Sequence, residues 1–273
     1  MNYFGEFRKM PVTLDENGQV HYTVQLFDTE SGDASKFSFN EHIGSTISID
    51  YGGNIFCTKC GRKTNKSFGQ GFCYPCFRNA PEAAECIIRP ELCRAHLGEG
   101  RDPEWEEKHH NQPHLVYLAA NDVIKVGVTR ITQIPTRWID QGAKSAIILA
   151  ETPNRYLAGV LEIALKEKFT DKTNWRKMLQ NNIDEEIDLV AAKIALNDTL
   201  TEDIAQYITD GDQPTHIHYP VLEYPKKIKS INLEKTPNVS GQLMGIKGQY
   251  ILLDNDRVMN IRKYTVYQVE IAL

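Results

Sequence analysis

The chain has 273 residues, of which 41% are hydrophobic and 25% are charged, and its formal net charge is -5. This balance supplies enough apolar side chains for a buried core, so it excludes wholesale disorder, collagen-like repeats and an extended coiled coil. The length exceeds that of one small module and favours two or three packed units.

No apolar run approaches the roughly 18 residues of a membrane span, and residues 1–9 lack the apolar stretch of a secretory signal. The sequence therefore predicts a cytoplasmic protein with no membrane partner. The chain contains six cysteines. Because a reducing compartment keeps thiols free, they are expected to bind metal or take part in catalysis rather than form disulfides.

Composition and patterning predict an α+β chain with five regions. These are a β-rich N-terminal region (1–56), a zinc-binding module (57–100), a core of strands and helices (110–180), an acidic helical segment (181–223) and a β-rich C-terminal region (224–273). In the first region, polar and apolar residues alternate over 20–27, 37–39 and 46–51, with turns between these runs that include Gly52-Gly53.

The core begins with a strand, a turn and a strand over 115–128, followed by a short helix over 136–142 and a strand over 146–150. Thr152-Pro153 then supplies a cap and a first-turn proline for a helix that runs to Phe169. A further helix is expected over 187–194. Residues 240–273 return to strand-like alternation, and the pattern leaves open whether the two β-rich ends pair.

Four cysteines form two C-x2-C pairs separated by twelve residues: Cys57, Cys60, Cys73 and Cys76. Each pair can supply one edge of a tetrahedral zinc site, and a site closed by four thiolates would hold structure rather than activate water. A redox dithiol is the competing interpretation for either pair alone. Cys86, Cys93 and His96 form a weaker pattern without a clear fourth ligand, although His109, His110 or His114 could return to it. Free buried thiols and a core histidine are the preferred interpretation there.

Charge is distributed unevenly along the chain. Residues 57–78 contain five basic side chains and no acidic one, whereas residues 125–177 contain ten basic and five acidic side chains. Residues 183–223 instead contain ten acidic side chains and one lysine. The basic segments predict a surface that attracts nucleic acid, with Lys63 and Lys66 as phosphate contacts, and the acidic segment could recruit a basic protein partner. Solvated charged faces are the alternative.

Several residues of the core resemble the ordered pattern of the GIY-YIG nuclease superfamily. Tyr117 matches its first tyrosine, Gly127 the glycine of its second tripeptide, Arg137 its helical arginine and Glu162 its metal-binding glutamate. Lys125 stands where a second tyrosine is expected, as in the K-I-G branches of that superfamily. Segments such as 68–76, 125–130, 135–142, 154–159 and 171–176 also resemble an uncharacterised bacterial family, domain of unknown function 2797.

The resemblance implies metal-dependent phosphodiester cleavage of DNA or RNA. Glu162 would hold Mg²⁺ or Mn²⁺, Tyr117 or Lys125 would position or deprotonate water, and Arg137 would bind the scissile phosphate. Arg130 is the rival phosphate ligand. Two other classes stay open: a noncatalytic zinc-containing nucleic-acid-binding protein with a degenerate nuclease core, which Lys125 favours, and a structural or interaction protein.

Overall fold

The computed structural model describes residues 1–28, 31–170, 172–196, 201–211 and 213–273. The strands in these ranges are β1 (Asn2–Phe7), β2 (Val12–Leu14), β3 (Val20–Phe27), β4 (Ala34–Ser38), β5 (Thr46–Phe56), β6 (Lys63–Thr64), β7 (His114–Ala120), β8 (Ile124–Arg130), β9 (Ser145–Thr152), β10 (Thr215–His216), β11 (Lys229–Ser230), β12 (Asn238–Lys247), β13 (Tyr250–Leu253), β14 (Arg257–Asn260) and β15 (Tyr267–Ala272). The helices are α1 (Tyr74–Asn79), α2 (Pro103–His110), α3 (Thr136–Asp140), α4 (Arg155–Leu165), α5 (Trp175–Leu179), α6 (Leu189–Ile194) and α7 (Glu202–Ala205). The fold is α+β, as the sequence predicts. None of the described helices has the length and apolar character needed to cross a membrane.

The chain forms two compact units, one from residues 1–78 and 218–273 and the other from residues 79–217. The first unit is built on a single sheet whose described strands follow the order β11-β14-β13-β12-β5-β15-β1-β3-β2, with β4 beside β3 and β6 beside β5. β1 lies antiparallel to β15, with Asn2 opposite Ala272. The two β-rich ends of the sequence therefore belong to one sheet, a pairing that local patterning leaves open.

β5 is longer than the sequence predicts. Gly52-Gly53 is expected to end this strand near Tyr51, but β5 continues through both glycines to Phe56. The register with β15 shifts opposite this stretch, and Gly53 has a φ of 82°. The expected turn is therefore a β-bulge, which uses the positive φ that glycine adopts without strain. The extended strand leads directly into Cys57.

The second unit is built around an antiparallel sheet with the order β10-β9-β7-β8. The strands predicted over 115–119 and 146–150 are confirmed as parts of β7 and β9, and the strand predicted over 123–128 corresponds to β8, which begins at Ile124. Helix α4 contributes Ala158, Leu161 and Leu165 to the core that also contains Val116 and Leu118 of β7. Burying each such leucine contributes about 1.5–3 kcal/mol, so this apolar stripe accounts for the position of α4.

Helix α4 begins later than the sequence predicts. Thr152 belongs to β9, and its hydroxyl donates to the His114 carbonyl at 3.2 Å. Asn154 is the actual cap, because its Oδ1 accepts a hydrogen bond from the Leu157 amide at 3.0 Å. The helix ends at Leu165 rather than at Phe169. Threonine and asparagine both cap helices well, so composition alone does not choose between them.

The acidic segment packs into the second unit through α6, which covers most of the helix predicted over 187–194. Asp188 caps α6, where its Oδ1 accepts from the amides of Val190 and Ala191. Lys193 is buried, and its ammonium donates to the Gly211 carbonyl at 2.6 Å. Residues 197–200 and 212 of this segment, and Asp171 of the family-like segment 171–176, lie outside the described residues.

Candidate functional site

The first candidate site is the four-cysteine cluster, formed by Cys57, Cys60, Cys73 and Cys76. Their sulfur atoms all lie within 4.8 Å of one another, and Cys60 Sγ is 3.8 Å from Cys73 Sγ. A tetrahedral zinc ion with Zn–S bonds of about 2.3 Å separates its ligand sulfurs by about 3.8 Å. The four cysteines could therefore bind a zinc ion, as their spacing predicts.

Two tight backbone turns bring these cysteines together. After β5, the Gly61 amide donates to the Cys57 carbonyl at 2.8 Å, and the positive φ of Gly61, 69°, closes the first turn. At the second pair, the Phe77 amide donates to the Cys73 carbonyl at 2.9 Å at the start of α1. The Thr58 amide also donates to the Gly71 carbonyl at 2.7 Å, which joins the two turns.

The thiols of this cluster differ in acidity. A hydrogen bond from the Arg62 backbone lowers the pKa of Cys60 to about 6. Desolvation and the neighbouring thiols raise the pKa of Cys76 to about 12. Ionisation of one thiol thus opposes ionisation of the next, and a bound divalent cation would remove this opposition by neutralising the shared negative charge.

The second candidate site is a set of polar side chains in the second unit, here called the Gln141 cluster: Tyr117, Lys125, Arg137, Gln141 and Glu162. Tyr117 Oη donates to Gln141 Oε1 at 2.8 Å, and Lys125 Nζ donates to the same oxygen. Lys125 Nζ also donates to Thr173 Oγ1 at 2.8 Å. One amide oxygen therefore connects residues from the neighbouring strands β7 and β8.

Gly127 is the packing partner of Tyr117 across these two strands. The two residues lie directly opposite each other in the antiparallel register. A Cβ atom at position 127 would lie 2.5 Å from the Tyr117 hydroxyl oxygen. The tyrosine ring therefore occupies the space above the glycine, which explains why this pair of residue types occurs on facing strands.

Arg137 and Glu162 reach the cluster from α3 and α4. Arg137 is half-buried, and its Nε is buried without a hydrogen-bond partner among the described residues. The charges of Arg137 and Glu162 both act on Tyr117. Glu162 is 8% exposed, and its Oε2 lies 3.7 Å from the ammonium of Lys166.

Tyr117 is fully buried at 0% exposure, and Lys125 is 5% exposed. Burial raises the pKa of Tyr117, and the nearby positive charge of Arg137 only partly offsets this effect. The phenol is therefore neutral at ordinary pH, where it acts as a hydrogen-bond donor to Gln141 and not as a base.

The sequence patterns do not identify Gln141 as a member of this cluster. Gln141 follows Arg137 by four residues, and this i, i+4 spacing is the sequence signal that could have identified it.

The remaining predicted residues have other environments. Lys63 and Lys66 are exposed in the first unit, where the Lys66 ammonium lies 5.2 Å from the Phe68 ring centre. Arg130 ends β8 in the second unit and is half-buried. His96 does not face Cys86 or Cys93 as a ligand: its ring stacks on Tyr156, with ring centres 4.6 Å apart.

Two further residues of the core have structural roles. Asn174 caps α5, where its Oδ1 accepts a hydrogen bond from the Lys177 amide at 3.3 Å. Trp138 is 3% exposed and packs edge-on against Tyr117, so its ring is part of the core.

The chain belongs to the family described as "Protein of unknown function (DUF2797)", whose profile matches residues 44–269. The matched range includes both the four-cysteine cluster and the Gln141 cluster. No curated protein and no solved structure matches the chain.

Proposed function

We propose that this family member binds nucleic acid and hydrolyses its phosphodiester bonds at the Gln141 cluster with the help of a divalent cation. The observation that carries the proposal is the shared hydrogen bonding of Tyr117 and Lys125 to Gln141, with the charges of Arg137 and Glu162 acting on the same tyrosine. Tyr117, Arg137 and Glu162 are among the residues on which the resemblance to the GIY-YIG nuclease superfamily rests.

Arg137 is the proposed phosphate ligand. Its planar guanidinium matches the geometry of two phosphate oxygens, and a hydrogen bond to a charged acceptor is stronger than one to a neutral acceptor. The Nε donor has no partner among the described residues. A phosphate oxygen would supply this missing acceptor, so Arg137 should favour an anionic ligand.

Glu162 is the proposed ligand for Mg²⁺ or Mn²⁺. Within the described ranges, it belongs to no group of three or more candidate metal-binding side chains. A single carboxylate fits Mg²⁺ only when water and substrate phosphate complete the shell, which is its usual arrangement in phosphoryl-transfer sites. The cation, when bound, would stabilise negative charge that develops on the phosphate. The contact between Glu162 and Lys166 would have to rearrange as it binds.

Tyr117 and Lys125 have different proposed roles. Because its pKa is raised, Tyr117 remains protonated and holds Gln141 in place. Lys125 and Gln141 would then orient the attacking water. This assignment suits a chain with lysine in place of the second tyrosine, since it requires no tyrosinate.

The four-cysteine cluster is proposed to hold a structural zinc ion that presents a basic surface to DNA or RNA. Lys63 and Lys66 are exposed and lie between the two cysteine pairs. Phosphate contacts of this kind are independent of base sequence and weaken as salt concentration rises.

A cleavage assay on the full chain tests the catalytic proposal. Single- and double-stranded DNA and RNA are incubated with wild type and Glu162→Gln, each with Mg²⁺ or Mn²⁺. We expect the wild type to cut at least one substrate and the variant to be slower by orders of magnitude. Glu167→Gln, at an exposed position in the same part of the chain, is the matched control. Equal cutting by wild type and Glu162→Gln would contradict the role of Glu162.

A noncatalytic nucleic-acid-binding protein is the second candidate function. The specific observation in its favour is the complete burial of Tyr117 together with the near-complete burial of Lys125. In this case Arg137 still binds phosphate, but no water reaches the cluster in a reactive position. Binding of nucleic acid without cleavage of any substrate under either cation would select this candidate.

A further inference from the structure

A second group of metal-binding side chains lies in the second unit, apart from the Gln141 cluster. It consists of Cys86, Cys93, Glu106 and His110, whose ligand atoms all lie within 4.8 Å of one another. Cys86 Sγ is 3.8 Å from His110 Nδ1 and 4.0 Å from Glu106 Oε2. The four residues are between 2% and 7% exposed.

The local fold is built to bring these residues together. Asp102 caps α2 through the Trp105 amide at 3.1 Å, and Glu106 and His110 then lie four residues apart on one face of the helix. The chain closes over Glu106 at Gly100, where a Cβ atom would lie 2.7 Å from the glutamate carboxyl carbon. A side chain at position 100 would force this buried carboxylate to shift.

Two short turns supply the cysteines. Cys86 lies in the 3-10 turn Glu85–Ile87, and Cys93 directly follows the 3-10 turn Pro90–Leu92. Six residues separate the two cysteines in the sequence, but both side chains are buried in the same cluster. This explains why the pattern of two cysteines and His96 offers no complete ligand set in the sequence: the other two ligands come from a helix farther along the chain.

We propose that Cys86, Cys93, Glu106 and His110 bind a second zinc ion in a closed structural site. A tetrahedral ion with bonds of about 2.0 to 2.3 Å separates its ligand atoms by about 3.3 to 3.8 Å, close to the 3.8 Å between Cys86 Sγ and His110 Nδ1. The Glu106 and His110 ligand atoms, now 2.7 Å apart, would move apart as the ion binds. Thiolate, imidazole and carboxylate are all established zinc ligands, and the mixture of two sulfurs with nitrogen and oxygen favours zinc over magnesium or calcium.

The electrostatic setting also favours a bound cation. Burying a carboxylate beside two thiols is costly unless a positive charge compensates for it. Without metal, Glu106 Oε2 contacts His110 Nδ1 at 2.7 Å, and Glu106 Oε1 accepts a hydrogen bond from the Arg101 amide at 3.3 Å. With zinc, two thiolates and one carboxylate leave a residual single negative charge, and the guanidinium of Arg155 lies against this loop.

The proposed ion would fix α4 against the loop that contains the cysteines. Arg155, the first residue of α4, donates to the carbonyls of Cys86 and Ile87 at 2.9 and 2.8 Å. Farther along α4, Gly159 packs so closely on Pro90 and Glu91 that a Cβ atom would collide with their backbone. Because α4 also carries Glu162, the second zinc would act as a positioning element for that helix.

Native mass spectrometry of the full chain purified with zinc in the medium tests the proposal. We expect two zinc ions per wild-type chain, and one in the Cys57→Ser/Cys60→Ser variant, which loses only the first site. A single zinc ion in wild type that disappears in this variant would overturn the proposal. So would the loss of two hydrogens that marks a disulfide between Cys86 and Cys93.

A pair of neighbouring histidines locates the second ion. His110→Ala should retain one zinc ion, whereas His109→Ala should retain two, because the His109 ring stacks on Trp105 outside the cluster with ring centres 4.1 Å apart. Two zinc ions in His110→Ala would contradict the ligand set. If His110→Ala is insoluble, the wild-type and Cys57→Ser/Cys60→Ser counts still decide the matter.

Discussion

Gly127 and Tyr117 illustrate how one residue can be required by the packing of another. The phenol ring lies over the glycine, and its hydroxyl donates a hydrogen bond to Gln141 Oε1. Lys125 Nζ donates to the same oxygen. A larger residue at position 127 would displace the ring and, with it, the hydrogen bonds of the whole cluster. The glycine therefore matters for its lack of a side chain more than for backbone freedom.

Gly127→Ala should lower the free energy of unfolding by about 1–3 kcal/mol, the usual cost of overpacking a filled core. Urea unfolding followed by circular dichroism measures this change. Gly211→Ala is the matched control in the same unit, since no heavy atom lies within 4 Å of the added carbon. Equal midpoints for both variants would show that the ring does not occupy this space.

His114 is a second residue whose burial has a measurable consequence. It is 0% exposed in β7, and burial lowers its pKa from 6.5 to about 4. Between pH 6.5 and about 4, His114 therefore binds a proton in the unfolded chain but not in the folded chain. The associated stability is present above pH 6.5 and is lost as the pH falls from 6.5 toward 4.

His114→Asn should reduce the acid sensitivity of folding, because asparagine has no proton to gain. The shift corresponds to about 3 kcal/mol at most, reached only when the pH falls to the folded-state value. Urea unfolding at pH 7 and pH 5 measures the difference for each protein. The idea fails if wild type and variant lose the same free energy between these two pH values.

At the scale of elements, the segment 57–76 combines short turns with four cysteines that could bind a zinc ion. Structural zinc sites of this kind show apparent binding energies of about 10–16 kcal/mol in isolated peptides. The segment also contains the trypsin-sensitive residues Lys59, Arg62, Lys63 and Lys66. Its folding should therefore depend on the metal.

Removing zinc with a strong chelator should expose this segment to trypsin. We expect early cleavage after Lys59, Arg62, Lys63 or Lys66 in chelated protein and protection in zinc-loaded protein, as read by mass spectrometry of the fragments. Restoring zinc should restore the protection. Identical early fragments with and without zinc would rule out a metal-held segment.

Sequence patterns were sufficient for elements whose signal is local. Alternation located β3, the strand, turn, strand pattern located β7 and β8, and the spacing of Cys57, Cys60, Cys73 and Cys76 located the first cluster. They were insufficient where contacts join distant residues. The pairing of β1 with β15 and the approach of α2 to Cys86 depend on tertiary packing, which no window of neighbouring residues contains.

The predicted start of α4 and the predicted end of β5 were wrong for a different reason. Threonine and asparagine are both good helix caps. Thr152 is not the cap of α4 because it belongs to β9, and Asn154 caps the helix instead. Gly52-Gly53 reads as a turn because glycine favours turns and bulges alike. In both cases the residue type permits two structures, and the neighbouring strand decides between them.

At the scale of the whole molecule, the net charge of -5 is a poor predictor of whether the protein binds a polyanion. Lys63 and Lys66 lie in the first unit, whereas Arg130 and Arg137 lie in the second, so basic side chains are available in both. The acidic residues concentrate in 183–223, where Glu185 is already paired with Lys144. Local charge, and not the total, should therefore govern nucleic-acid binding.

The binding of fluorescent oligonucleotides, measured by anisotropy over a series of salt concentrations, tests the central claim most directly. Catalytic and noncatalytic candidates alike require phosphate at Arg137. We expect wild type to bind DNA or RNA with an affinity that falls as salt rises, and Arg137→Gln to bind more weakly, with a salt slope smaller by about one. Arg94→Gln makes the same change of charge at a residue paired with Glu99 and should behave as wild type. Absence of binding to every single- and double-stranded oligonucleotide at low salt, or equal binding by the two arginine variants, would contradict the account.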